Sequence, residues 1–171
     1  MDEIEQKLEP VLALQIDDRI LSVKPSRDGV VVRPREAGFF HSGSARLGPQ
    51  TIPALAAIVK IMGPETTDVR IEGHTDNVPI HNEKFDSNWE LSTARATEII
   101  KLFITKFVLA PNRLSVSGYG EYYPAVSDDT AEGRATNRRV DLVILNLISD
   151  AGVPTPTAVV PEATPPATAP Q

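Results

Sequence analysis

Residues 87–107 read Ser87-Asn88-Trp89-Glu90-Leu91-Ser92-Thr93-Ala94-Arg95-Ala96-Thr97-Glu98-Ile99-Ile100-Lys101-Leu102-Phe103-Ile104-Thr105-Lys106-Phe107. Ser87 and Glu90 stand three apart, the spacing of a capping box that satisfies the free N–H groups of a helix start. Trp89, Ala96, Ile99, Ile100, Phe103 and Phe107 then give an apolar face, assigned to the core. Ala110-Pro111 stops the helix. Before it, Thr67 to Glu72 alternates with Val69 and Ile71 on one side, a strand pattern. After it, Leu114-Ser115-Val116-Ser117 is a second strand ending at Gly118-Tyr119-Gly120. Strand, helix and strand therefore follow one another.

Further outward the pattern repeats. Ile52, Leu55, Val59 and Met62 form a helical stripe that begins near Pro49 and stops at Gly63-Pro64. Two β-rich runs, Ile20 to Val23 and Val30 to Val32, flank an Asp28-Gly29 turn and predict a hairpin. Residues 121–133 are polar and rich in turn formers. Val140, Leu142 and Ile144 predict a last strand. The order is hairpin–α–β–α–β–loop–β. Two helices cover one face of a four- or five-stranded sheet, so the expected fold is an α/β (α+β) sandwich of two layers.

The ends differ from this middle. Six Pro, five Ala and four Thr occupy 15 of the 21 positions from 151 to 171. Such a composition offers too little apolar surface to offset chain ordering, so 149–171 is assigned as a disordered, polyproline-like tail. Ile4, Leu8, Val11 and Leu12 have helical spacing broken by Pro10, and 1–28 is assigned as a linker segment, leaving 29–148 as the domain. The 171 residues carry 17 Lys and Arg against 23 Asp and Glu, a formal charge of −6, which argues against nucleic acid as a partner. Cysteine is absent, which excludes disulfides, thiolate zinc sites and cysteine nucleophiles. No apolar run approaches the ~18 residues of a membrane helix. Met1 to Glu5 lack the pattern of a secretory leader, so a role outside the cytoplasm implies a segment upstream.

Polar residues collect where strands meet loops: His74, Thr75 and Asp76; Asn88 and Arg95, two helical turns apart on one face; and Arg134, Asn137, Arg138 and Arg139. An Asp and an Arg on rigid elements suit a zwitterion, the carboxylate taking an ammonium and the guanidinium a carboxylate. The alternative is that Asp76 and Arg95 pair with each other, or that Arg95 faces solvent. His74, Asp76 and His81 lack the helical spacing of a zinc site. Asp76 with Glu83 or Asp86 offers paired carboxylates with nothing to raise a pKa. Ser42 and Ser44 lie in a Gly-rich loop without the elbow of a serine hydrolase, and Gly38, Gly43 and Gly48 lack phosphate-loop spacing. No cofactor is expected. Tyr119, Tyr122 and Tyr123 either line a cleft or sit on a surface loop.

Four segments taken in order, Gly73 to Asn77, Leu91 to Ala96, Gly118 to Glu121 with Pro124, and Asn137 to Val140, resemble the OmpA-like peptidoglycan-binding domain across about residues 30–146. Phe39 to Ala45, Ile80 and Ser87 to Ser92 are most similar to its flagellar stator branch. So is the long segment 77–90. The resemblance implies a βαβαβ fold with a mixed sheet and a non-catalytic domain that binds the diaminopimelate of the peptidoglycan stem peptide. It implies that Asp76 contacts the ammonium and Arg95 the carboxylate, with Thr75, Asn88, Leu91 and Arg138 lining the same pocket. It further implies a homodimer, located in the periplasm, joined to a four-helix channel subunit through an N-terminal inner-membrane helix that this chain lacks. A general cell-envelope tether and a peptidoglycan hydrolase are the competing functions.

Overall fold

The computed structural model of the chain describes residues 21–34, 39–41, 43–62 and 68–145. The expected N-terminal stripe, the tail, Gly38, Ser42 and the Gly63-Pro64 stop lie outside them. Strands β1 (Leu21–Ser26) and β2 (Gly29–Pro34) form the hairpin, followed by helix α1 (Thr51–Met62) and strand β3 (Val69–Gly73). Helix α2 (Asn88–Thr105), strand β4 (Leu114–Gly118), helix α3 (Ala131–Asn137) and strand β5 (Val140–Leu145) complete the domain. The five strands lie in the order β1-β2-β5-β3-β4. Only β3 and β4 pair in parallel, so the sheet is mixed. β1 falls within the segment assigned as linker, yet it forms the edge strand of this sheet along its whole length.

Alternation along the strands builds one core. Val30, Val32, Val69, Ile71, Val140, Leu142 and Ile144 point to the same face and meet Ala54, Leu55 and Ile58 of α1 and Ala96, Ile99 and Phe103 of α2. Burying each of the larger side chains stabilises the fold by about 1.5–3 kcal/mol. α2 starts as the capping pattern predicts: the Ser87 hydroxyl accepts from Trp89 N–H and contacts the Glu90 carboxylate.

Two expectations are corrected. Residues 121–133 are not all loop, because α3 begins at Ala131. The Thr130 hydroxyl caps it by accepting from Gly133 N–H at 3.0 Å. Seven mostly polar residues carry no apolar stripe, so periodicity could not reveal it. Trp89 is not core: it is 47% exposed. It lies in the first turn of α2, where β4 has already ended at Gly118, and its ring stacks on Tyr122.

Two glycines let the sheet approach α2. A Cβ on Gly73 would lie 2.0 Å from the Ser92 carbonyl oxygen, and one on Gly118 would lie 2.0 Å from the Thr93 hydroxyl. Both glycines end their strands, so the residues that follow emerge directly beside the first turns of α2.

Candidate functional site

Three backbone hydrogen bonds tie the loops beyond β3, β4 and α3 together. His74 N–H donates to the Arg139 carbonyl (2.9 Å), Thr75 N–H to the Gly120 carbonyl (2.9 Å), and Tyr119 N–H to the Gly73 carbonyl (3.0 Å). Ser92 on α2 adds a fourth tie, its hydroxyl accepting from Gly120 N–H at 3.1 Å. The segments that carry Asp76, Asn88, Arg95 and Arg138 are thus held by backbone rather than by long side chains.

Asp76 is buried at 8% exposure. One carboxylate oxygen accepts from Val78 N–H (3.1 Å), and the other accepts from Arg138 Nη1 (2.7 Å). Thr75 donates its hydroxyl hydrogen to the Asp76 carbonyl at 2.9 Å. Asn88 is buried, and its amide donates to the carbonyls of Val78 (3.1 Å) and Asp76 (3.4 Å). Leu91 is buried one turn further along α2.

Arg95 is 4% exposed. Its Nε donates to the Ser44 carbonyl (2.9 Å), Nη2 donates to the His41 carbonyl (3.4 Å), and the guanidinium lies 5.2 Å from the Phe40 ring centroid. No carboxylate of the described residues lies within ion-pairing distance of it. Burial, helped by the positive charge of Arg138, lowers its pKa to about 10, and Asp76 offsets part of that. Asp76 pairs with Arg138 and not with Arg95. The six residues expected to line one pocket therefore divide: Thr75, Asp76, Asn88 and Arg138 are joined by direct bonds, Leu91 is buried on α2 outside that network, and Arg95 shares the electrostatic field from the loop 39–47 side. The partners of Arg95 were not anticipated, because backbone carbonyls leave no mark in a sequence. Ser44, weighed as a nucleophile, contributes its carbonyl to Arg95.

A second ionic group lies on the sheet face away from α1 and α2. Arg33 donates to both carboxylate oxygens of Asp141 (2.7 and 2.8 Å), Arg139 donates to Asp141 at 3.1 Å, and Arg70 donates to Glu72 (2.7 Å) and Asp28 (2.9 Å). His74 sits among them with its Nε2 3.8 Å from Asp141 and 4.0 Å from Glu72, and neither ring nitrogen is hydrogen-bonded. Burial, then the nearby Arg139, pushes its pKa down to about 4, so the ring is neutral and stacks on Tyr119. Glu72, His74 and Asp141 offer ligand atoms within 4.8 Å of one another. Guanidinium groups already occupy both carboxylates, however, so the set does not suit a metal ion. His81 is elsewhere, exposed and 3.9 Å from Asp86. Between the hairpin and α3 is a cleft of about 420 Å³ lined by Lys24, Arg33, Val126, Arg138 and Arg139.

Asn137 makes a further anchor. It is fully buried; its oxygen accepts from Ala125 and Val126 N–H (2.8 and 3.1 Å), and its amide donates to the Val126 carbonyl and the Asp128 carboxylate (2.7 and 2.9 Å). It thereby fixes the loop before α3 and the position of Arg138 beside it.

Among the described residues no helix is long and apolar enough to cross a membrane. Among curated proteins, the chain is 35% identical over 147 residues to Motility protein B of Bacillus subtilis, covering 85% of this chain and 56% of that protein. It is 33% identical over 146 residues to the uncharacterized protein YtxE of the same organism, covering 84% of this chain and 60% of that one. It thus spans less than two thirds of either relative. Among solved structures, the cell wall anchor of the T6SS from Pseudomonas aeruginosa superposes with a TM-score of 0.72 at 33% identity, covering 81% of this chain and 96% of that chain. The periplasmic domain of Helicobacter pylori MotB (residues 90–256) superposes with a TM-score of 0.69 at 25% identity, covering 81% and 86%. A profile of the OmpA family matches residues 39–138, which is more than half of the chain and contains Asp76, Arg95 and Arg138. The mixed five-stranded sheet agrees with that match, and this chain belongs to the OmpA family.

Proposed function

We propose that this domain is a non-catalytic anchor that binds peptidoglycan through the diaminopimelate of the stem peptide. The observation that carries the reading is the buried guanidinium of Arg95, which pairs with no carboxylate of the described residues, close to the Asp76–Arg138 pair. A buried cation without a counter-ion is costly, and a ligand carboxylate relieves that cost. The ligand's ammonium then joins Asp76, whose oxygens face Arg138 and Val78 N–H. An amino acid end group carrying both charges matches this order of acceptor and donor. Thr75, Asn88 and Leu91 shape the walls.

The likeness to Motility protein B supports a place in the flagellar motor. In this reading the domain lies in the periplasm as a homodimer. An N-terminal inner-membrane helix joins it to a four-helix channel subunit, so that peptidoglycan holds the stator against rotation. The likeness to the T6SS cell wall anchor supports a second reading, a tether of another envelope assembly that uses the same site.

The test is sedimentation with purified peptidoglycan. Removing one member of a buried charge interaction costs about 2–5 kcal/mol of binding. Asp76→Asn and Arg95→Met, which fills the space, are each expected to abolish co-sedimentation while the thermal unfolding midpoint stays near wild type. Wild-type sedimentation by both variants overturns the site.

A further inference from the structure

We propose that Trp89, backed by the stacked ring of Tyr122, is a saccharide-stacking platform whose free face takes a pyranose ring of the glycan strand whose stem peptide enters the Asp76–Arg95 site. The proposal rests on the peptidoglycan reading and adds a second contact to it. The two rings stack with centroids 5.2 Å apart and planes 24° from parallel. They remain 47% and 59% exposed. Of the other large apolar side chains of α2, Leu91, Ile99 and Phe103 are buried and Ile100, Leu102 and Ile104 half-buried, so Trp89 stands out from its own helix.

Rigid backbone surrounds the platform. Trp89 N–H is bonded to the Ser87 cap, its carbonyl accepts from the hydroxyls of Ser92 and Thr93, and Gly120 lies against the Asn88–Trp89 peptide. An exposed aromatic pair held this firmly suits a flat ligand, because little side-chain freedom remains to be lost on binding. A pyranose presents a face of C–H groups with slight positive charge, which complements the negative π face of an indole or phenol.

Position selects the occupant. Trp89 follows Asn88, whose amide holds the carbonyls of Asp76 and Val78. The platform therefore begins one residue along α2 from the proposed peptide site. Diaminopimelate is the third residue of a stem peptide, and three extended residues span about 10 Å. A peptide seated at Asp76 and Arg95 must place its sugar within that reach of the site. Val78, exposed and bonded through its backbone to Asp76 and Asn88, adds apolar surface beside the site.

Trp89 is the sole tryptophan of the chain, so its fluorescence reports the platform directly. The test titrates the full chain with two probes, the disaccharide tripeptide muropeptide and the free tripeptide ending in diaminopimelate. The wild type is expected to bind the sugar-bearing probe about tenfold more tightly, a ratio that ring stacking can supply. Only that probe should change the Trp89 emission. Trp89→Ala should lower its affinity to that of the free tripeptide, whose own affinity stays unchanged, Trp89→Phe should restore part of the loss, and Tyr122→Ala, which removes the backing ring, should lower the affinity in part. If Trp89→Ala does not fold, Tyr122→Ala with Trp89 as reporter gives a reading in the same direction. Equal wild-type affinities for the two probes overturn the platform and leave the anchor standing. Failure of both probes to bind overturns the anchor reading and the platform with it. Loss of self-association in Trp89→Ala, with both affinities unchanged, replaces the sugar by a second copy of this chain.

Discussion

Two ionic clusters leave the end of β3 in opposite directions, and they differ in how their charges balance. On the sheet face away from α1 and α2, Arg33, Arg70 and Arg139 meet Asp141, Glu72 and Asp28, so every guanidinium has a carboxylate. Beside α2, Asp76 has Arg138 while Arg95 is buried against two carbonyls and a ring. The first cluster is closed and holds β2, β3 and β5 together. The second carries one positive charge too many. Buried charge that is fully paired belongs to the fold. Buried charge that is left over belongs to a ligand, because natural chains tolerate such a cost where function requires it.

The largest expected effect breaks the closed cluster. Asp141→Ala leaves Arg33 and Arg139 without their partner, and breaking a buried pair from one side costs about 3–5 kcal/mol. Chemical denaturation should show this loss in the midpoint. The fraction still folded should sediment with peptidoglycan like wild type, since Asp141 does not touch the Asp76 site. A stable Asp141→Ala would mean that this face does not hold the sheet together.

The second prediction concerns pH. His74 has a folded pKa of about 4 against an ordinary 6.5, because burial and Arg139 disfavour its charged form. Between those values the unfolded chain binds a proton that the folded chain refuses. Stability therefore falls as pH drops from 6.5 towards 4, by about 3 kcal/mol at 1.36 kcal/mol per pKa unit. Asp141 acts at lower pH. Burial alone would raise its pKa, yet the Arg33 hydrogen bond and the Arg139 charge hold it below the usual carboxylate range, so its contribution is lost as the carboxylate protonates. Unfolding measured across this range should show the loss, and His74→Phe should remove the part between 6.5 and 4. An unchanged slope in His74→Phe would assign the effect to other groups.

The two clusters were not equally legible in the sequence. Strand alternation, the Asp28-Gly29 turn and the Ser87 cap carry strong local signals, and the sheet and α2 follow from them. The site residues on α2 and after β3 were legible as charges at element ends. The pairing was not: whether Asp76 meets Arg95 or Arg138 depends on how three loops converge, which no local pattern encodes. The closed cluster was less visible still. It joins Arg33 to Asp141, 108 positions apart. α3 escaped notice because its seven residues have a cap but no apolar stripe. The exposure of Trp89 is not legible because spacing gives the side of a helix and not how far the sheet extends beneath it.

The smallest expected effect on stability is the sharpest test of the contrast. Arg95→Met keeps an unbranched chain of similar length, which can fill the same space beside Phe40 and Leu91. It removes a buried charge that has no carboxylate partner, so the desolvation cost disappears. It also removes two hydrogen bonds to the carbonyls of Ser44 and His41, each worth roughly 0.5–1.5 kcal/mol net, and hydrogen bonds from a charged donor are at the upper end. These changes oppose each other, so the expected shift in unfolding free energy is within about 1 kcal/mol of zero. Peptidoglycan binding should nevertheless be lost, because the group that receives the ligand carboxylate is gone. A loss of about 3 kcal/mol or more, the size expected for Asp141→Ala, would show that Arg95 is structural and that the two clusters do not differ in kind. Gained or unchanged stability together with lost binding would place the excess positive charge of this domain in the service of its ligand.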